Sequence, residues 1–501
     1  MTKPYLLGID QGTSGSKAVV LDREGQVRGY AYRSLARVYP RPDWVEQEPT
    51  AVAQGVAQAI TEAVGNAGIR PDEIAACGLT SQRNTEFAWD GRSGQPLANA
   101  ITWQDLRTLP ILEELQTLPL AQEARYRLGY APGPYMASLH LAWRLRHDPA
   151  IRAAADAGYL RLGLSAAWLI TALGRPSAHI MDSSLVQAMG LYDFRQHRYW
   201  AEWLDWIGID ERPLPTAVPT IHDYGALRVT APNGQSADVP VLAMIGDQQA
   251  ALFGHDCRHA GAAECTHGTA SYVKVFLDDH APKQEKINVY YAWNLDGRQT
   301  YCLEAPMSVT GAVIRWLRDN ARLFDHYEEM DLLAASVADA GGVVFVPAFT
   351  GLEVPYNDPL ARGTLLGMTL GHDRGHIARA FFEAVGYQIR AILETITGDA
   401  GVVVDQLLVG GGVSASDLAC QIQADLVGLP VLRPTFAETT AWAAGVLAGL
   451  GAGFWESPQA LPPLPGTHTR FEPQWTAAAQ DAGFARWQRA VALVQAWGRD
   501  Y

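Results

Sequence analysis

The stretch YLLGIDQGTSGSKAVVLDREGQ, Tyr5 to Gln26, decides how the rest of the chain is read. An apolar run, Tyr5 to Ile9, ends at Asp10. Small and polar residues follow, Gln11-Gly12-Thr13-Ser14-Gly15-Ser16, and then a β-rich run, Lys17 to Leu21. DREGQ, Asp22 to Gln26, is a hairpin turn with glycine at its tip. The order is strand, turn, strand, turn, strand. Ala51 to Val64 then carries apolar residues at 52, 56, 60 and 64, a helical stripe. Ile74 to Thr80 is the next apolar strand. Antiparallel strands followed by helix and strand predict a mixed α/β sheet rather than a Rossmann half.

A second cycle begins near residue 241. Val241 to Ile245 is a strand ending in GDQQ (246–249), with a helical stretch after it. THGTASYVKVF (266–276) repeats the logic of DQGTSGSKAVV (10–20): Gly-Thr at a turn, then a β-rich run. The repeat implies two similar domains facing one another. The 501 residues exceed one hydrophobic core, so two large domains are expected, 1–249 and 250–501. LLVGGGVSASDLACQIQADLV (407–427) reads as strand, three glycines, and a helix capped by Ser414 or Ser416. Trp455, Trp475, Trp487 and Trp497 lie in helical surroundings, and SPQALPPLPGTHTR (457–470) is a proline-rich loop before the last helix.

The formal net charge is -14, from 39 basic and 53 acidic side chains, which argues against a nucleic-acid partner. A nucleotide still binds to a local nest of backbone N–H groups. Cysteines 77, 257, 265, 302 and 420 include no CxxC pair and suit reduced thiols. The start MTKPYLLGID has no apolar core long enough for a signal peptide. TTAWAAGVLAGLGAGFW (439–455) is the most membrane-like window, but it is rich in alanine and glycine with glutamates at both ends. It reads as a tightly packed buried helix. A soluble cytoplasmic protein is expected.

Asp10 sits at a strand end before a turn of small residues. Glycines let the backbone approach an anion, Thr13 and Ser14 add donors, and an aspartate beside phosphates suits Mg2+. An ordinary polar hairpin gives the same pattern. Gly268-Thr269 supplies a second such turn. Gly410-Gly411-Gly412 before a helix allows close approach of a base or ribose, but it is not the GxGxxG of a dinucleotide site. Asp247, at the exit of a buried strand, fits the group that accepts a proton from an attacking hydroxyl, and it also fits a helix N-cap. Arg83 and Asn84 in SQRNTEFAWD (81–90) follow a buried strand and are poorly placed for packing. Arg83 is either a fork for two vicinal oxygens or half of an internal salt bridge. HDCRH (255–259) puts two histidines four apart on a probable helix, without a further ligand cluster. It reads as surface histidines.

These residues resemble the FGGY family of carbohydrate kinases, and within it the glycerol kinase branch. The likeness runs from Tyr5 to about Trp455. It includes GIDQGTSGSKAVVLD, DWVEQEP, LTSQRNT, NAITWQDLRT, GDQQAALFG, VPAFTGLEVPYNDPLARG and GTLLGMTLGHDRGHIARAFFEAV, in order and spacing. The resemblance implies two actin-like, ribonuclease-H-like domains around an ATP cleft, with ATP and Mg2+ as cofactors and a polyol or sugar as acceptor. A homo-dimer or higher homo-oligomer is expected. Asp10 would work near the metal, and Thr13 and Ser14 near the γ-phosphate. Asp247 matches the catalytic base. Gly268, Thr269, Gly311, Gly411 and Gly412 match positions lining ATP. Arg83, Trp103, Tyr135, Asp247 and Gln248 match the polyol pocket, with Trp103 against the carbon face. Tyr272 falls at an aromatic wall.

Three departures stand out. Asn84 replaces a glutamate, so an acceptor for two hydroxyls becomes an amide that also donates. This weakens glycerol and suits a carbonyl or a longer chain; Glu86 is the nearby substitute, reached by a small shift. Ser416 replaces the asparagine that approaches adenine. APNGQSADVP (231–240) has no basic residue where bacterial glycerol kinases often bind fructose bisphosphate, so no such inhibition is expected. The rivals are a kinase for a ketose such as a pentulose, a non-catalytic actin-type nucleotide-binding protein, and a catalytically silent sensor.

Overall fold

The computed structural model describes residues 3–283, 286–307 and 310–499. Strands β1 (Tyr5–Gln11), β2 (Gly15–Leu21) and β3 (Val27–Ser34) form where the sequence pattern puts them. The turn between β2 and β3 closes through Asp22 N to Gln26 O at 3.0 Å, with Gly25 at φ 73°. Helix α1 (Pro49–Ala67) buries Val52, Val56, Ile60 and Val64, the stripe read from the sequence. Glu48 caps it by accepting from Thr50 N and Ala51 N. Strand β4 (Ile74–Ser81) follows, then helix α2 (Ala137–His147) and strands β5 (Gly174–Pro176), β6 (Gly225–Thr230) and β7 (Ser236–Gly246), and helix α3 (Asp247–Gly254). The sheet order is β3-β2-β1-β4-β7-β6-β5. β1–β2 is antiparallel, β1–β4 and β4–β7 parallel, and β7–β6 antiparallel.

The second cycle repeats this plan. It comprises β8 (Ala263–His267), β9 (Ser271–Asp278), β10 (Asn288–Leu295), β11 (Arg298–Met307), α4 (Gly311–Asp319), α5 (Tyr327–Ala335), α6 (Arg374–Ala400), β12 (Leu407–Gly411), α7 (Asp417–Val427) and β13 (Val431–Pro434). Helix α8 (Thr439–Gly451), strand β14 (His468–Phe471) and helix α9 (Ala477–Gly498) complete the chain. The order is β10-β11-β9-β8-β12-β13-β14. β8–β9 is antiparallel, β8–β12 and β12–β13 parallel, and β13–β14 antiparallel. The same alternation around the first strand in both sheets shows that the Gly-Thr repeat marks a structural duplication.

The chain divides into two compact units. Unit 1 holds residues up to Asp256, Tyr290–Tyr301 and Glu438–Pro465; unit 2 holds Cys257–Val289, Cys302–Ala437 and residues from Gly466. Helix α8, late in sequence, is therefore a core helix of unit 1. Its backbone lies on β1 and β4: a Cβ on Gly8 would sit 2.0 Å from Ala441 O, and one on Gly78 would sit 1.8 Å from Ala444 O. Glycines in the strands and alanines in the helix make this approach possible. No helix among the described residues is long and apolar enough to cross a membrane.

Several sequence expectations change. Residues 457–470 are not only loop, because β14 forms there as an edge strand pairing with β13. Trp487 and Trp497 lie in α9, whereas Trp455 and Trp475 lie in bends outside the helices. Helix α3 ends at Gly254, so His255 and His259 do not share a helical face. His255 is buried rather than on the surface, and only His259 is exposed.

Candidate active site

β1, β4 and β7 are adjacent and parallel, so their carboxyl ends open onto one edge of the unit 1 sheet. Ligands of open α/β sheets bind at such edges. The register puts Asp10 beside Thr80, and Thr80 beside Ile245. Asp10, Arg83 and Asp247 therefore leave neighbouring strands together, which linear spacing does not show.

Asp247 is the first residue of α3, and Gly246 holds the N-cap position, so the cap reading of Asp247 is replaced. Its Oδ1 accepts from Gln248 N at 2.7 Å and faces Arg83 Nε at 3.8 Å. The Arg83 guanidinium lies 4.6 Å from the Tyr290 ring centroid. Arg83 thus has an internal carboxylate and stays at the sheet edge. The carboxyl of Asp10 is raised to about 7 by burial, with Asp247 and Glu438 adding to the rise and Lys17 opposing it. Its Oδ1 is buried without a protein partner. Lys17 is held by Glu438 at 2.7 Å.

The first turn is braced from below by three fully buried amides, Gln11, Gln47 and Gln82. Gln11 Nε2 donates to Gly12 O at 2.8 Å, and Gln47 Nε2 to Thr13 O at 2.9 Å. In a trans peptide the C=O and the next N–H point in opposite directions. The N–H groups of Thr13 and Ser14 are therefore turned away from these amides, as a nest for an anion requires. The Thr13 hydroxyl is engaged differently from expectation: it accepts from Trp103 Nε1 at 2.9 Å and donates to Gln82 Oε1 at 3.1 Å. Ser14 Oγ accepts from Arg37 Nη2 at 3.0 Å, a guanidinium that the sequence pattern did not single out.

Asn84 adopts φ 61°, a left-handed conformation that asparagine tolerates. Its Oδ1 is buried and has no protein partner. Glu86 is anchored through one carboxylate oxygen, while its buried Oε1 has no protein partner. Its Oε2 accepts from Arg144 Nε of α2 at 2.6 Å, with both side chains buried. Removing one partner of such a pair costs about 3–5 kcal/mol. Tyr135 is half-buried, and its hydroxyl donates to Ala131 O at 3.0 Å.

A support for Asp247 escaped the sequence reading. Gly246 N donates to Ser184 Oγ at 3.1 Å, and Ser184 Oγ donates to Asp182 Oδ1. Asp182 also accepts from Ser184 N at 2.8 Å and from Thr220 Oγ1 at 2.8 Å. Burial raises the Asp182 carboxyl to about 6. Asp182 is the N-cap of the short helix that follows it, but its ties to Thr220 and, through Ser184, to Gly246 span 38 and 62 residues, which no local motif marks.

In unit 2 the Gly268–Thr269 turn closes through Gly268 N to Ala270 O at 2.9 Å, as Gly12 N closes the first turn on Gly15 O. Gly311 N donates to Gly268 O at 3.1 Å, which ties α4 to the turn. A cavity of about 510 Å³ is lined by Gly268, Thr269, Gly311, Gly412 and Ser416, among others. Gly411 is not in that lining. It sits at φ 88°, and a Cβ there would meet His267 O at 2.2 Å, so packing rather than a ligand demands glycine. Gly412 has open space where a Cβ would go. Ser416, not Ser414, caps α7 by accepting from Ala419 N at 3.0 Å, and it hydrogen-bonds Asp331. Arg315 and Asp331 also line the cavity. Arg315 follows Gly311 by one helical turn, a signal the sequence offered. Tyr272 lies on β9 opposite Thr266, in unit 2.

Residues 5–254 match the N-terminal domain, and 263–452 the C-terminal domain, of the FGGY family of carbohydrate kinases. The chain is 38% identical over 501 residues to a glycerol kinase of Symbiobacterium thermophilum, covering 100% of each chain. It is 37% identical to a glycerol kinase of Carboxydothermus hydrogenoformans, covering 99% of each. A crystal structure of Plasmodium falciparum glycerol kinase with ADP superposes with a TM-score of 0.90 at 24% identity, covering 98% of each chain.

Proposed function

The chain belongs to the FGGY family of carbohydrate kinases, and from that membership we propose that it moves the γ-phosphoryl group of ATP to a hydroxyl of glycerol or a similar polyol or short sugar. The observation that carries this is the convergence of Asp10, Arg83 and Asp247 at the ends of three parallel strands. Asp247 is the general base. The acceptor oxygen bonds to the γ-phosphorus, its proton passes to the Asp247 carboxylate, and the bond from phosphorus to the ADP oxygen breaks. Arg83 offers its fork of donors to two acceptor hydroxyls, and Trp103 offers its face to the carbons. The N–H groups of Thr13 and Ser14 turn toward the transferred group, while Thr269 and the Gly412 face of the unit 2 cavity serve the nucleotide. Relatives that are glycerol kinases over the full length make the ketose reading the weaker one.

The residues fit a divalent cation. Asp10 presents a buried oxygen without a protein partner, raised toward neutrality and beside a second carboxylate. Among the described residues no group of three His, Cys, Asp or Glu side chains is placed to hold a metal, so phosphate oxygens and water would complete the shell. Bound there, Mg2+ neutralises charge on the phosphates.

The test is ADP release from Mg-ATP against glycerol, erythritol, threitol, dihydroxyacetone, ribitol, xylulose and ribulose. Turnover on glycerol or another short polyol supports the proposal. A strong preference for xylulose or ribulose moves the chain to the ketose kinases, and ATP binding without turnover on any acceptor overturns the catalytic reading.

Three further outcomes follow. Asp182→Asn loosens the tie to Gly246, so kcat falls by up to about 10²-fold while KM for ATP stays level. The folded protein holds the Asp182 proton more tightly than the unfolded chain, since burial raises this carboxyl to about 6. Its contribution to stability therefore falls as pH rises from about 4 to about 6 and is level above. Urea unfolding of both proteins across that window should show the native protein losing ground against Asp182→Asn. Added fructose bisphosphate leaves activity unchanged. The β6–β7 turn carries no cation, and the flanking Arg228 and Arg175 pair with Asp238 at 3.1 and 3.6 Å. A dose-dependent fall in ADP release would refute this.

A further inference from the structure

Thr13 joins two parts of the site. Its main chain belongs to the phosphate turn, and its hydroxyl accepts from the indole N–H of Trp103, the acceptor wall, at 2.9 Å. The hydroxyl proton has one destination, Gln82 Oε1 at 3.1 Å. Gln82 is itself held without slack. Its Oε1 also accepts from Thr85 Oγ1 at 2.9 Å, and its Nε2 donates to Gln47 Oε1 at 2.8 Å and Gln11 Oε1 at 3.2 Å. Gln47 and Gln11 donate onward to the carbonyls of Thr13 and Gly12. Every amide in this ring has one orientation that satisfies both its oxygen and its nitrogen. Gln11, Gln47, Gln82 and Thr85 are each no more than 1% exposed, so none of these bonds competes with bulk water. Trp103, by contrast, is 36% exposed and is held to the turn through its indole nitrogen.

We infer that Gln82 is a positioning residue which, through the Thr13 hydroxyl, couples acceptor binding at Trp103 to phosphate binding at the Gly12–Thr13–Ser14 turn. The inference rests on the kinase reading. An acceptor that settles Trp103 settles Thr13, whose N–H faces the phosphate. A nucleotide that orders the turn orders the wall in return. Such coupling is reciprocal: each ligand tightens the other by the same factor. It also favours loading of both substrates over loading of ATP alone, which limits transfer to water.

The experiment measures Kd for glycerol, and in turn for dihydroxyacetone, by calorimetry with and without saturating β,γ-methylene-ATP and Mg2+. The reverse pair is measured as well. The native protein should show a coupling factor of about 5 to 150. Trp103→Phe keeps the ring and loses the N–H; Thr13→Val loses the hydroxyl. Both should bring the factor to about 1, and Thr13→Ser should retain it. Gln82→Met should behave as Thr13→Val, and the other variants decide the matter should it fail to fold. A native factor of 1, or a factor unchanged in Trp103→Phe and Thr13→Val, overturns the inference while leaving the kinase reading intact. A native protein that binds neither acceptor nor the ATP analogue overturns the kinase reading and the inference with it.

Discussion

Asp247→Asn lowers kcat by about 10²–10⁴-fold, the range for loss of a positioned general base. The amide keeps the shape of the carboxylate and can still accept from Gln248 N, the bond that Asp247 Oδ1 makes at 2.7 Å. It cannot take a proton from the acceptor hydroxyl. KM for ATP should move little, because the cavity proposed for the nucleotide is lined by Thr269, Gly311 and Gly412 and not by Asp247. Arg83 loses a carboxylate 3.8 Å away, so acceptor KM rises modestly. ADP release and the product ester, followed together, check this. A kcat within a fewfold of native would remove Asp247 from the role of base.

Asn84→Glu raises kcat/KM for glycerol. A buried hydroxyl left without its acceptor costs about 1–3 kcal/mol, roughly 5- to 150-fold in an equilibrium. The glutamate restores an oxygen pair where Asn84 Oδ1 now stands buried and without a protein partner. The buried pair of Glu86 with Arg144 opposes a shift of Glu86 toward the acceptor. The same substitution costs stability. Residue 84 sits at φ 61°, where glutamate carries a Cβ penalty of about 1 kcal/mol that asparagine largely escapes. The expected signature is therefore opposed: faster glycerol turnover with a lower Tm. Steady-state kinetics on glycerol and dihydroxyacetone, with thermal unfolding of both proteins, read it out. A fall in glycerol turnover would show that Asn84 does not stand in for a lost acceptor.

Much of the candidate site was legible because strand-end chemistry is local. Asp10 and Asp247 each follow an apolar run, and a carboxylate at the exit of a buried strand needs a task. The Gly-Thr turns were legible for the same reason, since small residues between β-rich runs leave few other conformations. The three-glycine run misled in one detail. Gly411 and Gly412 look alike in sequence, yet a neighbouring main chain requires the first and only the second faces the cavity. Arg37, Gln82, Asp182 and Asp331 were missed because their partners lie on other elements.

By itself the sequence determined the mixed sheet, its duplication and the strand ends where the candidate residues gather. Those features follow from alternation, turn residues and periodicity, which act over a few residues. The tertiary structure alone decided three other matters. It returned Thr439–Gly451 to unit 1, because Gly8 and Gly78 let that helix lie directly on their strands. It committed Glu86 to Arg144, 58 residues away. It tied Thr13 to Trp103 and to Gln82, across separations of 90 and 69 residues. Contacts of that range depend on which backbones pack closely enough to exclude water, a condition met only when the whole sheet has formed.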